Sequence, residues 1–192
     1  MENRGGRCSL ERIIGKGAEA VLILDEWYGF KVVRKIRIRK RYRHPLMDLW
    51  LRQERTRIEA RVMAEVKKLG IHCPTLLDVN LDKFEIIMDF IPGSKLSDII
   101  DSLSINILNK IFTNIGKYLA IMHEHGLVHG DLTTSNIILT AKGSLYIIDF
   151  GLSGFSRSLE DYGVDVHLFK RSLESTHYKL VDTLFTKFME GY

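Results

Sequence analysis

The chain has 192 residues, 45% of them apolar and 27% charged, with three prolines and a net charge of +4. This length supports one compact domain or two small lobes with a real core, and it excludes both a disordered tail and a peptide-sized scaffold. No apolar run reaches the roughly 18 residues that a membrane span requires, and the opening MENRGGRCSLERII lacks the basic, apolar and small-residue order of a signal peptide. A cytoplasmic protein without membrane contact is expected. Cys8 and Cys73 lie too far apart for a metal-spaced pair and are expected to be reduced and structural.

In chain order, SLERII (9–14) and AVLIL (20–24) read as strands joined by GKGAE, and FKVVRKI (30–36) as a third strand after the DEWYG turn. Residues 31–43, KVVRKIRIRKRYR, hold eight Lys or Arg and no acid. Strand alternation places some of these cations on a solvated face, while their density also suits an anionic partner, either nucleotide phosphate or nucleic acid. Helical spacing runs from about Met47 to Leu69, with Leu51, Ile58, Val62, Val66 and Leu69 on one face and Gly70 suited to end the helix. TLLDVN (75–80) and FEIIMDF (84–90) add two strands. The composition changes at Ile91, Pro92, Gly93 and Ser94, which divides the chain into an N-terminal lobe, 1–91, and a C-terminal lobe, 92–192.

Ile105, Leu108, Ile111, Ile115, Leu119 and Met122 recur at spacings of three and four, predicting an amphipathic helix over 105–124 closed by Gly126. LVH (127–129), NIILT (136–140) and LYIID (145–149) are short strand candidates, the last two joined by the turn AKGS. Asp161 and Asp165 precede a helical stretch containing Leu168, Phe169 and Leu173; Asp165 is the candidate to bond the backbone of the loop HGDLTTSN, a plain acid at a helix N-terminus being the alternative. STHYKLVDTLFTKFM (175–189) reads as a last helix with Leu180, Leu184 and Phe188 inward.

The chemistry concentrates in HGDLTTSN (129–136) and DFG (149–151). A tight hairpin brings the loop before its first strand next to the residue after its second, so Asp131, Asn136 and Asp149 can converge. Carboxylate and amide oxygens so gathered are hard ligands, suited to Mg2+ bridging phosphate oxygens. Each residue alone would be read as a turn or cap residue. Together they resemble the catalytic-loop pattern H-x-D-x-x-x-x-N and the DFG of protein kinases. Gly15 and Gly17 then stand where a phosphate-covering G-x-G-x-x-G loop lies, with Ala20 in the third glycine position. Lys35 stands where the nucleotide-binding lysine stands, Arg34 and Lys31 being the alternatives. Glu59 is the candidate to pair with it, ahead of Glu54 and Glu65.

YRHP (42–45), RTRIEAR (55–61), GKGAEA and HGDLTTSN together resemble the small atypical kinase subunit of the KEOPS tRNA-modification complex, the PRPK-type family, from about residue 10 to 180. The resemblance implies an α+β, minimal bilobal protein-kinase-like fold, with a small antiparallel-sheet N-lobe and a truncated, mainly helical C-lobe. It also implies ATP and Mg2+ as cofactors, weak autophosphorylation or ATPase activity, and support of threonylcarbamoyl-adenosine formation on tRNA. Catalytic roles fall to Asp131, Lys35 and Glu59, and metal binding to Asn136 and Asp149. Nucleotide contacts fall to the loop Gly15, Lys16, Gly17, Ala18 and Glu19 and to a hinge at Met88, Asp89, Phe90 and Ile91, whose backbone would receive adenine. The implied partners are the KEOPS catalytic subunit of sugar-kinase-like fold, a small bridging subunit, and tRNA through the complex, with Arg37, Arg39, Lys40, Arg41 and Arg43 expected to meet tRNA.

Three departures from ordinary kinases stand out. Thr133 replaces the lysine that meets the γ-phosphate, removing one positive charge from the transition-state clamp. Glu19 puts a carboxylate inside a loop that covers anions. No A-P-E follows DFG, so the helices that build a peptide groove, or the added helices of an aminoglycoside-type phosphotransferase, are not expected. The family usually ends in a short basic tail, whereas this sequence stops at Glu190, Gly191 and Tyr192, so functions of that tail are not carried over.

Overall fold

The computed structural model describes residues 11–192. Cys8, together with Ser9 and Leu10 of the first predicted strand, lies outside the described residues. Contacts gather the chain into two compact units, one of residues up to Ala60 with Pro74–Phe90, the other of Arg61–Cys73 with Ile91–Tyr192.

The first unit is built on five antiparallel strands, β1 (Arg12–Lys16), β2 (Ala20–Trp27), β3 (Phe30–Arg37), β4 (Leu76–Asn80) and β5 (Glu85–Asp89), in the order β1-β2-β3-β5-β4. Helix α1 (Pro45–Lys68) enters after β3. Its buried stripe is Thr56, Glu59, Ala60, Val62, Met63 and Val66, whereas Leu51, Ile58 and Leu69 are only half-buried. The inward face is therefore rotated from the one predicted. Polar groups hold core positions because each is satisfied: the Thr56 hydroxyl donates to Arg52 O at 2.7 Å, and Glu59 is ion-paired. Apolar periodicity cannot register such positions.

Beyond Arg61–Cys73, the second unit continues with β6 (Ser94–Lys95) and α2 (Leu96–Ile99), both too short to show a period, although Leu96 and Ile100 are fully buried. Helix α3 (Ile105–Glu124) has the predicted bounds. Then come β7 (Leu127–Val128), β8 (Ile137–Leu139), β9 (Leu145–Ile147) and β10 (Gly154–Phe155); β6, β8 and β9 form one small sheet, and β7 pairs with β10. Helix α4 (Leu159–Thr176) contains Asp161 and Asp165 rather than following them, and Ser158 caps it by accepting from Glu160 N at 3.2 Å. The last helix, α5, spans Val181–Gly191, starting later than predicted. The hydroxyls of Ser175 and Thr176 bond back to Ser172 O and His177 N donates to Leu173 O, so α4 keeps Ser175 and Thr176 with His177 as its cap, and the break falls at 177–180.

The core of this unit is aromatic, with the Phe169 ring 6.0 Å from Phe112 and 4.5 Å from Phe188. Helices α3 and α5 approach so closely that a Cβ at Gly116 would lie 2.0 Å from Phe188 O, and one at Gly191 2.0 Å from Thr113 O. Gly116→Val is accordingly expected to cost about 1–3 kcal/mol or more through overpacking, read as a fall in the denaturation midpoint with Gly163→Ala, in open space, as the control.

Candidate active site

In the second unit, the loop 129–136 hangs on one buried carboxylate. Asp165 Oδ2 accepts from His129 N at 2.6 Å, and Oδ1 from Gly130 N at 2.7 Å. His123 Nε2 lies 3.2 Å from the same Oδ2, and its Nδ1 lies 2.7 Å from the Tyr192 hydroxyl. Gly130 is required here, since its φ is +76° and a Cβ would meet Leu152 O at 2.3 Å. His129 is fully buried and its ring packs 5.1 Å from that of Phe150, so the loop and DFG are fastened together.

This anchorage sets Asp131 and Asn136 side by side. Asn136 Nδ2 donates to Asp131 O at 2.8 Å and to Asp131 Oδ2 at 3.2 Å, which fixes the amide's orientation and leaves its oxygen side for another ligand. Ile148 N donates to Asn136 O at 2.8 Å, tying the start of β8 to the end of β9. Asp149 follows with φ +64°, exposed, its Oδ1 accepting from Gly151 N at 3.1 Å. A non-glycine residue in the left-handed region marks a site where backbone strain is tolerated for placement. One carboxylate and one amide oxygen form a hard donor set that fits Mg2+ arriving with nucleotide phosphates and keeping waters. Among the described residues no group of three His, Cys, Asp or Glu could hold a metal as a closed cage.

Burial pushes the His129 imidazole down from its ordinary value against the pull of Asp165, Asp149 and Asp131, so it is held neutral. Burial would raise Asp165, but the hydrogen bonds from His123, His129 and Gly130 prevail and hold it below the usual carboxylate range. Both groups have depressed folded values, so their stabilisation is present at neutral pH and lost as pH falls. Loss begins below 6.5 with His129 and resumes below 3.8 with Asp165. Denaturant titrations across pH should show these two steps, and His129→Gln should remove the first.

In the first unit, Lys35 Nζ lies 2.6 Å from Glu59 Oε1, both side chains being buried. Strand alternation sends Arg34 to the opposite face, where it pairs with Glu85 at 2.5 Å, Glu11 at 3.0 Å and Asp25 at 3.2 Å. Lys31 is exposed. Glu54 and Glu65 form surface pairs with Arg57 and Lys68 along α1. Lys35 and Glu59 are thus the pair that the fold brings together.

Gly15 and Lys16 lie in β1 opposite Leu22 and Val21, and Gly17 N donates to Ala20 O at 2.9 Å in a tight turn. Ala18 O accepts from Lys40 Nζ. The Glu19 carboxylate meets Arg43 Nη2 at 2.8 Å and Arg55 Nη1 at 3.1 Å, and the Arg43 hydrogen bond is the main force lowering its pKa. Two arginines from outside the loop therefore neutralise the acid that stood out in the sequence. The hinge is more engaged than expected. Met88 is buried in β5, Asp89 N donates to Thr75 O at 3.1 Å and Phe90 N to Lys31 O at 3.2 Å, and Ile91 is buried.

The basic run is also a correction. Arg37 is 4% exposed and bonds Glu59, so it is no surface cation. With Arg34, Lys35 and Arg43 paired and Lys40 on a carbonyl, Lys31, Arg39 and Arg41 remain as its exposed members. Arg37, Arg43, Arg55, His123 and Tyr192 were missed as site supports; only Arg37 carried a signal, standing two residues from Lys35 on the same strand face.

The loop–DFG constellation and the Lys35–Glu59 pair define a protein kinase domain, and the protein kinase domain family model matches residues 9–178, so the chain belongs to that family. Within it the chain belongs with the Bud32 proteins. It is 42% identical over 187 residues to the KEOPS complex subunit Bud32 of Pyrococcus abyssi, covering 94% of this chain and 84% of that one. It is also 41% identical over 180 residues to a probable bifunctional tRNA threonylcarbamoyladenosine biosynthesis protein of Methanothermobacter thermautotrophicus, and 42% over 182 to that of Methanocaldococcus jannaschii. The matches cover 94% and 95% of this chain but 32% and 33% of those two relatives, so the chain spans about a third of each. Among the described residues no helix is long and apolar enough to cross a membrane.

Proposed function

We propose that the chain uses MgATP for phosphoryl transfer or hydrolysis and does so within KEOPS, in support of threonylcarbamoyl-adenosine modification of tRNA. The observation that carries the reading is the braced loop, with Asp131 and Asn136 in hydrogen-bond contact and the DFG phenylalanine packed on His129. Asp131 orients the attacking hydroxyl or water and accepts its proton, while the new P–O bond forms at the γ-phosphorus and the bond to the β,γ-bridging oxygen breaks, releasing ADP. Lys35, aligned by Glu59, holds the α- and β-phosphates, and Asn136 and Asp149 hold Mg2+. When bound, the metal neutralises phosphate charge. Residues 1–91 supply the nucleotide-covering lobe and 92–192 the catalytic lobe.

Thr133 makes this a weak kinase. Without a cation two positions beyond Asp131, transition-state charge is stabilised less, by about a hundredfold or more in rate, and water is as plausible an acceptor as serine. The relatives' names, a KEOPS complex subunit and bifunctional tRNA threonylcarbamoyladenosine biosynthesis proteins, support partners within KEOPS and a role on tRNA; the KEOPS catalytic subunit, a small bridging subunit and a cytoplasmic setting are part of the proposal. The test is single-turnover phosphate release from ATP, alone and with the catalytic subunit and tRNA. Release in either condition is expected. If ATP stabilises the fold but neither condition releases phosphate, the chain is a nucleotide-gated binding module.

A further inference from the structure

The Lys35–Glu59 pair has a third member that phosphoryl transfer does not itself require. Arg37 emerges from β3 two residues after Lys35, hence on the same face. Its Nη2 lies 2.5 Å from Glu59 Oε2, while Lys35 Nζ occupies Oε1, so each carboxylate oxygen has its own cation. The same Nη2 reaches Arg55 O at 3.4 Å, one turn earlier on α1. The Arg37 main chain is fixed in turn, its N–H donating to Phe84 O at 3.0 Å. Arg37 and Glu59 are 4% and 1% exposed, so this clamp is shielded from solvent and salt.

We propose that Arg37 is a positioning residue that fastens α1 to β3 and keeps Glu59 in place while Lys35 turns to phosphate. The proposal rests on the reading of Lys35 as the phosphate-binding lysine. In kinases the lysine–glutamate pair depends on the position of this helix, and elsewhere that position is set by segments outside the N-terminal sheet. A buried carboxylate whose only partner is drawn away by phosphate is left uncompensated, which is costly. Arg37 removes that cost, because its guanidinium stays charged and its Nη2 reaches both Glu59 Oε2 and the Arg55 carbonyl. The catalytic pair is thereby braced from within the first unit.

The test compares Arg37→Met, Arg37→Lys, Lys35→Ala and the double variant Lys35→Ala/Arg37→Met in steady-state ATP turnover by the full chain. Arg37→Met is expected to lower kcat/KM about tenfold or more, mainly through KM, and Arg37→Lys to recover part of it. In the Lys35→Ala background Arg37→Met should add little, because it acts through Lys35. Unchanged kinetics in Arg37→Met beside a loss in Lys35→Ala overturns the proposal alone, as does full additivity of the two losses. Unchanged turnover in Lys35→Ala overturns the parent reading and this one with it. Should Arg37→Met fail to fold, Arg37→Lys carries the test, and a KM for ATP equal to that of the parent chain overturns the proposal.

Discussion

Alanine at Asp131 is expected to reduce ATP turnover by about 10²–10⁴-fold, the usual worth of a positioned general base. The loss should appear in kcat, since Asp131 addresses the attacking group and not the nucleotide. The fold should survive. The carboxylate makes one long bond, 3.2 Å to Asn136 Nδ2, while the amide's shorter bond goes to Asp131 O, which alanine keeps. The loop itself hangs from Asp165 through His129 N and Gly130 N, and neither bond involves the Asp131 side chain. Melting of Asp131→Ala should therefore stay close to that of the parent chain. Asp149→Ala should lose turnover similarly but through nucleotide and metal together, so added Mg2+ should recover part of it. Turnover unchanged in both variants would place the chemistry elsewhere and leave the loop a structural motif.

Most of the fold was legible because its elements follow simple periods. Helix α3 buries Leu108, Ile111, Ile115, Leu119 and Met122 at spacings of three and four, and its bounds matched. The hairpin β8–β9 was readable from two short apolar runs around AKGS. The inward face of α1 was not legible, since a stripe built on Thr56 and Glu59 looks polar until the partners that satisfy it are known. The same limit governed the site. Asp131, Asn136 and Asp149 were visible because a motif fixes their spacing, whereas Arg43 and Arg55 reach Glu19 from distant segments that no local pattern links. Charge density misled for the same reason: a run of cations reads as a surface until the acids facing it are placed.

Glu59→Ala is expected to be far more damaging to the fold than Lys35→Ala, although both should lose ATP turnover. Removing Lys35 leaves Glu59 bonded to Arg37 at 2.5 Å, so charge in the buried pair still balances. Removing Glu59 takes away the carboxylate that both Lys35 and Arg37 share, in surroundings where these side chains are only 7% and 3% exposed. Breaking a buried pair by deleting one partner costs about 3–5 kcal/mol, because the remaining charge is left in a poor solvent. Here two cations remain, and one link between β3 and α1 goes with the acid. For a chain of this size the cost corresponds to a fall of about 6–20 °C in the melting midpoint. Glu59→Gln, which keeps the shape and one acceptor but not the charge, should fall between the two. Equal melting midpoints for Glu59→Ala and Lys35→Ala would show that other groups, water or chain movement compensate the two cations, and that Glu59 serves alignment alone.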